Sequence, residues 1–298
     1  MHVGNYDINL TNSLFVSDLD GTLFNSDGEL SEQTVNIVNN AIDCGLNFTI
    51  ATGKSYQTIQ KEISKVNLNI PCITYDGACI NDCNGNIILC NCVDRRVLSD
   101  IMSYVYEKSS SFLIYSLING EERILWIKEK VNLYTYQYFS KRPKDKRFYE
   151  VTNKEEFFWG DTLFISFVDC IQNIKKIEKE LLTIGITDIQ INQDAYINSL
   201  YWLKVKHPNA NKGDAITFIK NHVACDYIVS FGNETNDIEM FLASDISICV
   251  ANANNVIKDI ALLEIQSNNS DGVGKFLESL VISEKMNEQY ILGGRANE

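Results

Sequence analysis

Three prolines in 298 residues leave this chain without a proline-rich linker, and no repeat or low-complexity tract interrupts it. No apolar run approaches the roughly 20 residues that a membrane-spanning helix needs, so the sequence predicts no membrane partner. Positive charge is scarce: 26 Lys and Arg stand against 39 Asp and Glu, giving a net charge of −13 and a pI near 4.7. Without a basic field, nucleic acid and anionic membrane surfaces are excluded as partners. The opening residues, MHVGNYDINLTNS, have neither the basic stretch nor the apolar core of a secretion signal, which predicts a cytoplasmic location. The nine cysteines are odd in number and scattered, which fits a reducing compartment better than a disulfide framework. One run, CINDCNGNIILCNC, gathers Cys79, Cys83, Cys90 and Cys92. Its C-x3-C and C-x-C spacings read as reduced structural thiols rather than a zinc site.

What is present is a chain with 45% hydrophobic residues, enough for a large core and for two domains. Residues 12 to 81 alternate strand and helix patterns. LFVSD is a short apolar strand. Ser31 caps a helix carrying Val35, Val38, Ala41 and Ile42 at helical spacing, and Gly45 closes it. LNFTIATG is a second strand, Ser55 opens a helix with Ile59, Ile63 and Val66 on one face, and NIPCITYDGA is a third strand. The same grammar returns in KGDAITFIKNHV, DYIVSFGNE, DIEMFLAS, DISICVANA and DGVGKFLESLV. The two blocks, 1–81 and 205–298, are predicted to share one parallel sheet with Rossmann-like α/β architecture. Between them, residues 82–204 hold adjacent strands rich in aromatics, with FLIYSLING and RILWIKEK as a candidate hairpin around Asn119 and Gly120. These predict a separate α+β domain inserted into the core.

In an open parallel sheet, ligands bind beyond the carboxyl ends of the strands. The predicted strand ends here are Asp18-Leu19-Asp20, Thr52-Gly53-Lys54, Asp76-Gly77 and Gly232-Asn233-Glu234-Thr235-Asn236-Asp237, and Lys212 begins a helix before the last of these. Two carboxylates at the mouth of a buried strand are costly unless compensated. A hard cation between them removes that cost, and Mg2+ takes few protein carboxylates together with phosphate oxygens.

DLDGTL, ATGK, the lysine of NKGDA, and GNETND, in that order, resemble the four motifs of the haloacid dehalogenase superfamily. The insertion between the second and third motifs is similar to the C2-capped, Cof-type branch of phosphatases. The resemblance covers nearly the whole chain and implies a Rossmann-like core with a mobile cap that selects the substrate. It also implies Mg2+-dependent hydrolysis of a small phosphorylated metabolite, a sugar phosphate above all. By that resemblance Asp18 is the nucleophile and Asp20 the general acid and base. Gly21, Thr52, Gly53 and Lys212 bind the phosphoryl group. Asp18, the Asp20 carbonyl, Asn233 and Asp237 are the candidate metal ligands, while Lys54 and Asn236 are candidates to touch substrate or brace the site.

Three positions depart from the pattern. Asn233 stands where the superfamily has a metal-binding aspartate, which keeps an oxygen ligand but drops a charge. Lys54 stands where many relatives have arginine, keeping charge and losing a planar fork. Asp76 replaces a common asparagine and reads as a turn residue. Asn233 leaves open a catalytically weakened protein that binds a phosphorylated ligand. Transfer of the phosphoryl group to an acceptor other than water, as in a phosphotransferase or phosphomutase, is equally compatible with these residues. The sequence sets no oligomeric state.

Overall fold

Alternation of apolar strands with amphipathic helices governs the architecture of the computed structural model, which describes residues 2–3, 6–7, 11–106, 110–194, 197 and 199–294. A two-residue pair, β1 (His2–Val3) with β2 (Tyr6–Asp7), comes first. The chain continues through β3 (Ser13–Ser17), α1 (Glu32–Asp43), β4 (Asn47–Ile50), α2 (Tyr56–Ile63), β5 (Cys72–Thr74), β6 (Cys79–Asn81) and β7 (Ile87–Cys90). Next come α3 (Arg95–Val105), β8 (Phe112–Ile118), β9 (Glu121–Trp126), α4 (Leu133–Ser140), β10 (Phe148–Glu150), β11 (Asp161–Asp169), α5 (Ile171–Thr183), β12 (Ile189–Gln193) and β13 (Tyr201–Lys206). The last stretch holds α6 (Lys212–Val223), β14 (Tyr227–Gly232), α7 (Ile238–Leu242), β15 (Ile246–Val250), α8 (Asn255–Ile260), β16 (Leu263–Ile265) and α9 (Gly272–Gly294). Among the described residues no helix is long and apolar enough to cross a membrane.

The chain forms two compact units: Met1–Leu89 with Asn209–Glu298, and Cys90–Pro208. The first holds a five-stranded sheet in the order β16-β15-β14-β3-β4, with every neighbouring pair parallel. All five residues of β3 are buried, as are those of β15, as a parallel sheet covered on both faces requires. Fully buried Phe15, Phe48 and Phe231 sit in this core, each stabilising it by on the order of 2–3 kcal/mol through the area it removes from water. The expected caps are in place: Ser31 Oγ accepts from Thr34 N and Ser55 Oγ from Thr58 N. α2 ends at Ile63, so Val66 packs from the following turn rather than from the helix face.

The third strand of the opening block behaves differently from the expectation. β5 reaches the main sheet through a single bridge, Ala51 to Ile73, and then pairs antiparallel with β6 in a three-stranded sheet, β5-β6-β7. Residues 82–89, read from the sequence as part of the insertion, therefore belong with the first unit. The second unit is built on a six-stranded sheet, β10-β9-β8-β11-β13-β12, antiparallel except for the β10–β9 pair. Its hairpin turns at Asn119 and Gly120, both with positive φ (53° and 79°), the geometry that Asn-Gly favours between twisted strands.

Candidate active site

Strand β3 ends inside the protein, and its direction is continued by Asp18. The Asp18 amide donates to the Phe231 carbonyl of β14 at 2.9 Å, so the residue is fixed by the sheet before its side chain is considered. That side chain meets Lys212, the first residue of α6. The Lys212 ammonium is fully buried and donates to Asp18 Oδ1 at 2.6 Å and to Asp237 Oδ1 at 2.7 Å. One buried cation is thus shared by two carboxylates from opposite ends of the chain. Burial pushes the Asp18 carboxyl up from 3.8 to about 7; Lys212 opposes this rise, while Asp237 and Asp20 reinforce it. Burial disfavours the charge on Lys212, yet the surrounding carboxylates of Asp18, Asp237 and Asp76 prevail and hold its ammonium above the ordinary lysine range. Lys212 stays charged, and Asp18 is left as the undercompensated partner.

Asp237 carries the rear of the site. Its Oδ2 accepts from the amides of Asn233 and Glu234, at 2.9 and 3.0 Å, in a reciprocal capping arrangement that closes the turn Thr235–Asp237. Both of its oxygens are therefore engaged by protein groups. The short turn folds its carboxylate back onto Lys212 and the turn amides.

Around Asp18 the chain coils tightly. Gly21 takes φ 78°, a conformation that costs other residues 1–2 kcal/mol or so, and a Cβ there would lie 2.6 Å from Asn233 Nδ2. Thr22 Oγ1 donates to Asn233 Oδ1 at 2.9 Å, joining this turn to the end of β14. Asn252 Nδ2 donates to the Gly21 carbonyl (2.8 Å), and Asn268 Nδ2 to that of Phe24 (2.9 Å). Sequence reasoning missed Asn252 and Asn268; their signal was an asparagine in each of the loops that follow β15 and β16. Asp20, on the same turn, points to a more open place, where Lys54 Nζ meets its Oδ1 at 2.5 Å. With 31% and 47% of the two side chains exposed, this pair orients Asp20 and adds little stability.

Thr52 and Gly53 follow β4. Thr52 is buried, and its Oγ1 accepts from the Lys54 amide at 3.2 Å, which leaves the hydroxyl proton free to be donated. Behind them, Tyr75, Asp76 and Gly77 all have positive φ (53°, 54° and 94°). Gly77 is obligatory, since a Cβ would fall 2.1 Å from the Asn211 carbonyl oxygen, and Asn211 is the residue whose side chain caps α6 beside Lys212. Asn236 Nδ2 donates to Asp76 Oδ1 at 3.0 Å. The structure therefore brings Asp18, Asp20, Gly21, Thr52, Gly53, Lys54, Lys212, Asn233, Asn236 and Asp237 into one region of the first unit.

Among the described residues no three His, Cys, Asp or Glu side chains are grouped so as to hold a metal by themselves. The donors available at the end of β3 are mixed: one carboxylate on Asp18, the Asp20 carbonyl and the Asn233 amide oxygen. Hard oxygen donors of this kind fit Mg2+, which keeps much of its coordination for water and phosphate. The raised Asp18 carboxyl marks a place where a further positive charge is stabilising. Of the thiol cluster, Cys79 is buried, Cys83 is exposed, and the sulfurs of Cys90 and Cys92 approach to 3.2 Å.

A sequence model of the haloacid dehalogenase-like hydrolases matches residues 15–277. A putative phosphatase of Buchnera aphidicola subsp. Baizongia pistaciae is 28% identical over 280 residues, covering 90% of this chain and 97% of its own length. A 5-amino-6-(5-phospho-D-ribitylamino)uracil phosphatase of Bacillus subtilis, YitU, is 21% identical, covering 89% of this chain and 96% of its own. In three dimensions the crystal structure of TM0651 from Thermotoga maritima superposes with a TM-score of 0.73 at 22% identity, covering 89% of this chain and 96% of the other.

Proposed function

The chain belongs to the haloacid dehalogenase-like hydrolases and is a phosphoric monoester hydrolase of that family, and we propose that it cleaves the phosphate ester of a small metabolite, a sugar phosphate above all, with Asp18 as nucleophile. The observation that carries the reading is the buried contact between Asp18 and Lys212 at the carboxyl end of β3, beside Thr52 and Gly53.

Asp18 attacks phosphorus with a carboxylate oxygen, and the bond to the ester oxygen breaks. The departing alkoxide takes a proton from Asp20, which Lys54 holds in place. The resulting acyl phosphate is then split by water, with Asp20 accepting the water's proton, and phosphate leaves. Lys212, the Thr52 hydroxyl and the amides at Gly53 and Gly21 face the charge on the phosphoryl oxygens; fixed groups of this kind need no reorganisation as that charge shifts. Lys212 also opens α6, so the amides of that first turn add to the positive field. Asp18, the Asp20 carbonyl, Asn233 and Asp237 would hold Mg2+, which would supply further positive charge to the phosphoryl group.

The unit Cys90–Pro208 is proposed to select the leaving group. The net charge of −13 supports an enzyme with no nucleic-acid or membrane partner. A second reading, ligand binding with little turnover, draws on the neutral Asn233, whose amide oxygen is already engaged by Thr22. The test is a panel of phosphorylated metabolites assayed for phosphate release at graded Mg2+, with Asp18→Asn alongside. Release by the parent and a loss of several orders of magnitude in the variant is the expected result. Binding of panel members without release at ample Mg2+ favours the second reading, and equal release by both proteins removes Asp18 from the chemistry.

A further inference from the structure

Two thiols stand where the chain passes from the first unit to the second, and the phosphoryl chemistry uses neither. The first unit's opening stretch ends at Leu89, and the second unit begins at Cys90. Cys90 is the last residue of β7; Asn91 and Cys92 follow it. Both cysteines are half-buried, and their sulfurs lie 3.2 Å apart. The hydrogen bond with Cys90 and burial hold the Cys92 thiol above the ordinary thiol range, reinforced by the charge of Asp161. Cys92 is thus a sulfur that keeps its proton and donates it toward Cys90. The pair is anchored on both sides. β7 pairs with β6 in the first unit, and the Val93 amide donates to the Thr162 carbonyl of β11 at 2.7 Å in the second.

Sulfurs this close are in contact without being bonded. A disulfide needs them at about 2.05 Å, an approach of about 1.1 Å, small enough for the side-chain torsions to supply. Neighbours held together react at a high effective concentration. An external disulfide taken up by one sulfur is therefore displaced by the other before a second reagent molecule arrives. The position gives the bond a consequence. The chain crosses between the units at Leu89–Cys90 and at Pro208–Asn209. The proline ring fixes φ at the second crossing, so the first holds more of the torsional freedom on which a hinge depends. A ring through Cys90, Asn91 and Cys92 removes it.

We propose that Cys90 and Cys92 form a redox site, oxidised by a low-molecular-weight disulfide to an intramolecular disulfide that stiffens this crossing and slows turnover. In the first step one cysteine thiolate attacks the reagent RS–SR, and one RS− leaves. In the second, the other cysteine loses its proton and attacks the protein sulfur that carries RS, expelling the second RS−. The protein gives up two electrons and two protons, and the reagent becomes two molecules of RSH. In a reducing compartment such a disulfide is transient and regulatory rather than structural. The effect on turnover rests on the phosphatase reading; the chemistry of the pair does not.

The experiment treats the whole chain with enough oxidised glutathione to modify exposed Cys83, which lies outside the pair and shows that the reagent has acted. Remaining thiols are blocked with N-ethylmaleimide and the peptides mapped by mass, for the parent, Cys90→Ser, Cys92→Ser and the double serine variant. Phosphate release from the metabolite panel is followed before oxidation, after it, and after dithiothreitol. The parent should yield a Cys90–Cys92 disulfide, lighter than the dithiol peptide by two hydrogens. Each single variant should stop at a glutathione mixed disulfide on the cysteine that remains. The parent's kcat should fall about threefold or more on oxidation and return with dithiothreitol, while the double serine variant keeps the reduced parent's kcat throughout. A parent in which Cys90 and Cys92 are both alkylated, or each carry glutathione, overturns the proposal. A Cys90–Cys92 disulfide with unchanged kcat overturns the regulatory role. A parent that releases no phosphate from any panel member removes the phosphatase reading and the regulatory role together, and the mass map still decides the redox site.

Discussion

Asp18→Asn should abolish turnover and, in metal-free protein, make the first unit more stable at neutral pH than the parent. Burial raises the Asp18 carboxyl from 3.8 to about 7. A carboxyl whose native value lies above its unfolded value keeps its proton longer in the folded chain. Its contribution to stability is then fully present below about pH 4 and is lost as pH rises through about 7, because over that range the native state binds more protons than the unfolded state. At about 1.4 kcal/mol per pH unit, the loss is on the order of 4 kcal/mol. The asparagine variant has no proton to release at this position, keeps the side-chain shape, and still offers Lys212 an acceptor. The stability difference, variant minus parent, should therefore grow by roughly 3–4 kcal/mol between pH 4 and 7.5. Titrating groups remote from Asp18 are common to both proteins and cancel, while Lys212, Asp237 and Asp20 couple to it and set the residual. The three tryptophans, Trp126, Trp159 and Trp202, all lie in Cys90–Pro208, so fluorescence would follow the wrong unit. Urea titrations read by hydrogen exchange of β3 and β14 peptides, in chelator, follow the right one. Parallel pH profiles for the two proteins would refute the view that Asp18 is an undercompensated buried carboxyl.

Three further changes probe the same construction. Lys212→Met leaves Asp18 and Asp237 facing each other without their ammonium and should cost about 3–5 kcal/mol together with all activity; urea unfolding indistinguishable from the parent would contradict the shared-cation geometry. Gly77→Ala drives a Cβ to 2.1 Å from the Asn211 carbonyl oxygen at φ 94°. Unfolding should move to lower denaturant by more than about 2 kcal/mol, and turnover should fall because the cap of α6 shifts beside Lys212. Asn233→Asp restores a charged oxygen at the end of β14. Mg2+ should raise its melting temperature more than that of the parent, by linkage, while the metal-free variant should be the less stable of the two; identical Mg2+ titrations would show that position 233 does not reach the cation.

The central sheet and its site were readable because local signals agreed. A buried apolar strand followed by Asp-x-Asp-Gly-Thr, a serine cap before each helix of the opening block, and a lysine at the start of α6 each had one physical interpretation, and those interpretations pointed to the same end of one sheet. The hairpin at Asn119–Gly120 was readable for the same reason, since the turn chemistry and the flanking strands agree. Less visible were facts that depend on distant partners. Nothing local to CITYDGACIN shows that β5 leaves the parallel sheet after one bridge, because that depends on β6 folding back upon it. The roles of Asn252 and Asn268 depend on where the Gly21–Phe24 loop passes. Asp237 was a candidate metal ligand, and only the closed turn around Glu234 reveals that its oxygens also serve Lys212 and two turn amides. Helix α3, with Leu98, Ile101, Met102 and Val105 buried at helical spacing, carried a signal that reading the insertion chiefly as strands passed over.

The pairing of β3 with β14 has a consequence for how the protein is made. β3 is one of the first elements to leave the ribosome, and its neighbour β14 follows about 200 residues later, with the whole unit Cys90–Pro208 synthesised in between. At about 5–20 residues per second, roughly 10–40 s pass during which β3 has β4 on one side and an unsatisfied edge on the other. For that interval a strand edge with an apolar centre, Leu14 to Val16, is exposed to other nascent chains, the circumstance in which edge-to-edge association begins. The hydrogen bond from Lys212 to Asp18 spans 194 residues and closes only as that edge is about to be covered. Catalytic competence and relief from aggregation should therefore arrive together, late in synthesis, and a slow stretch of translation just before β14 would prolong the hazard without changing a single residue of the finished protein.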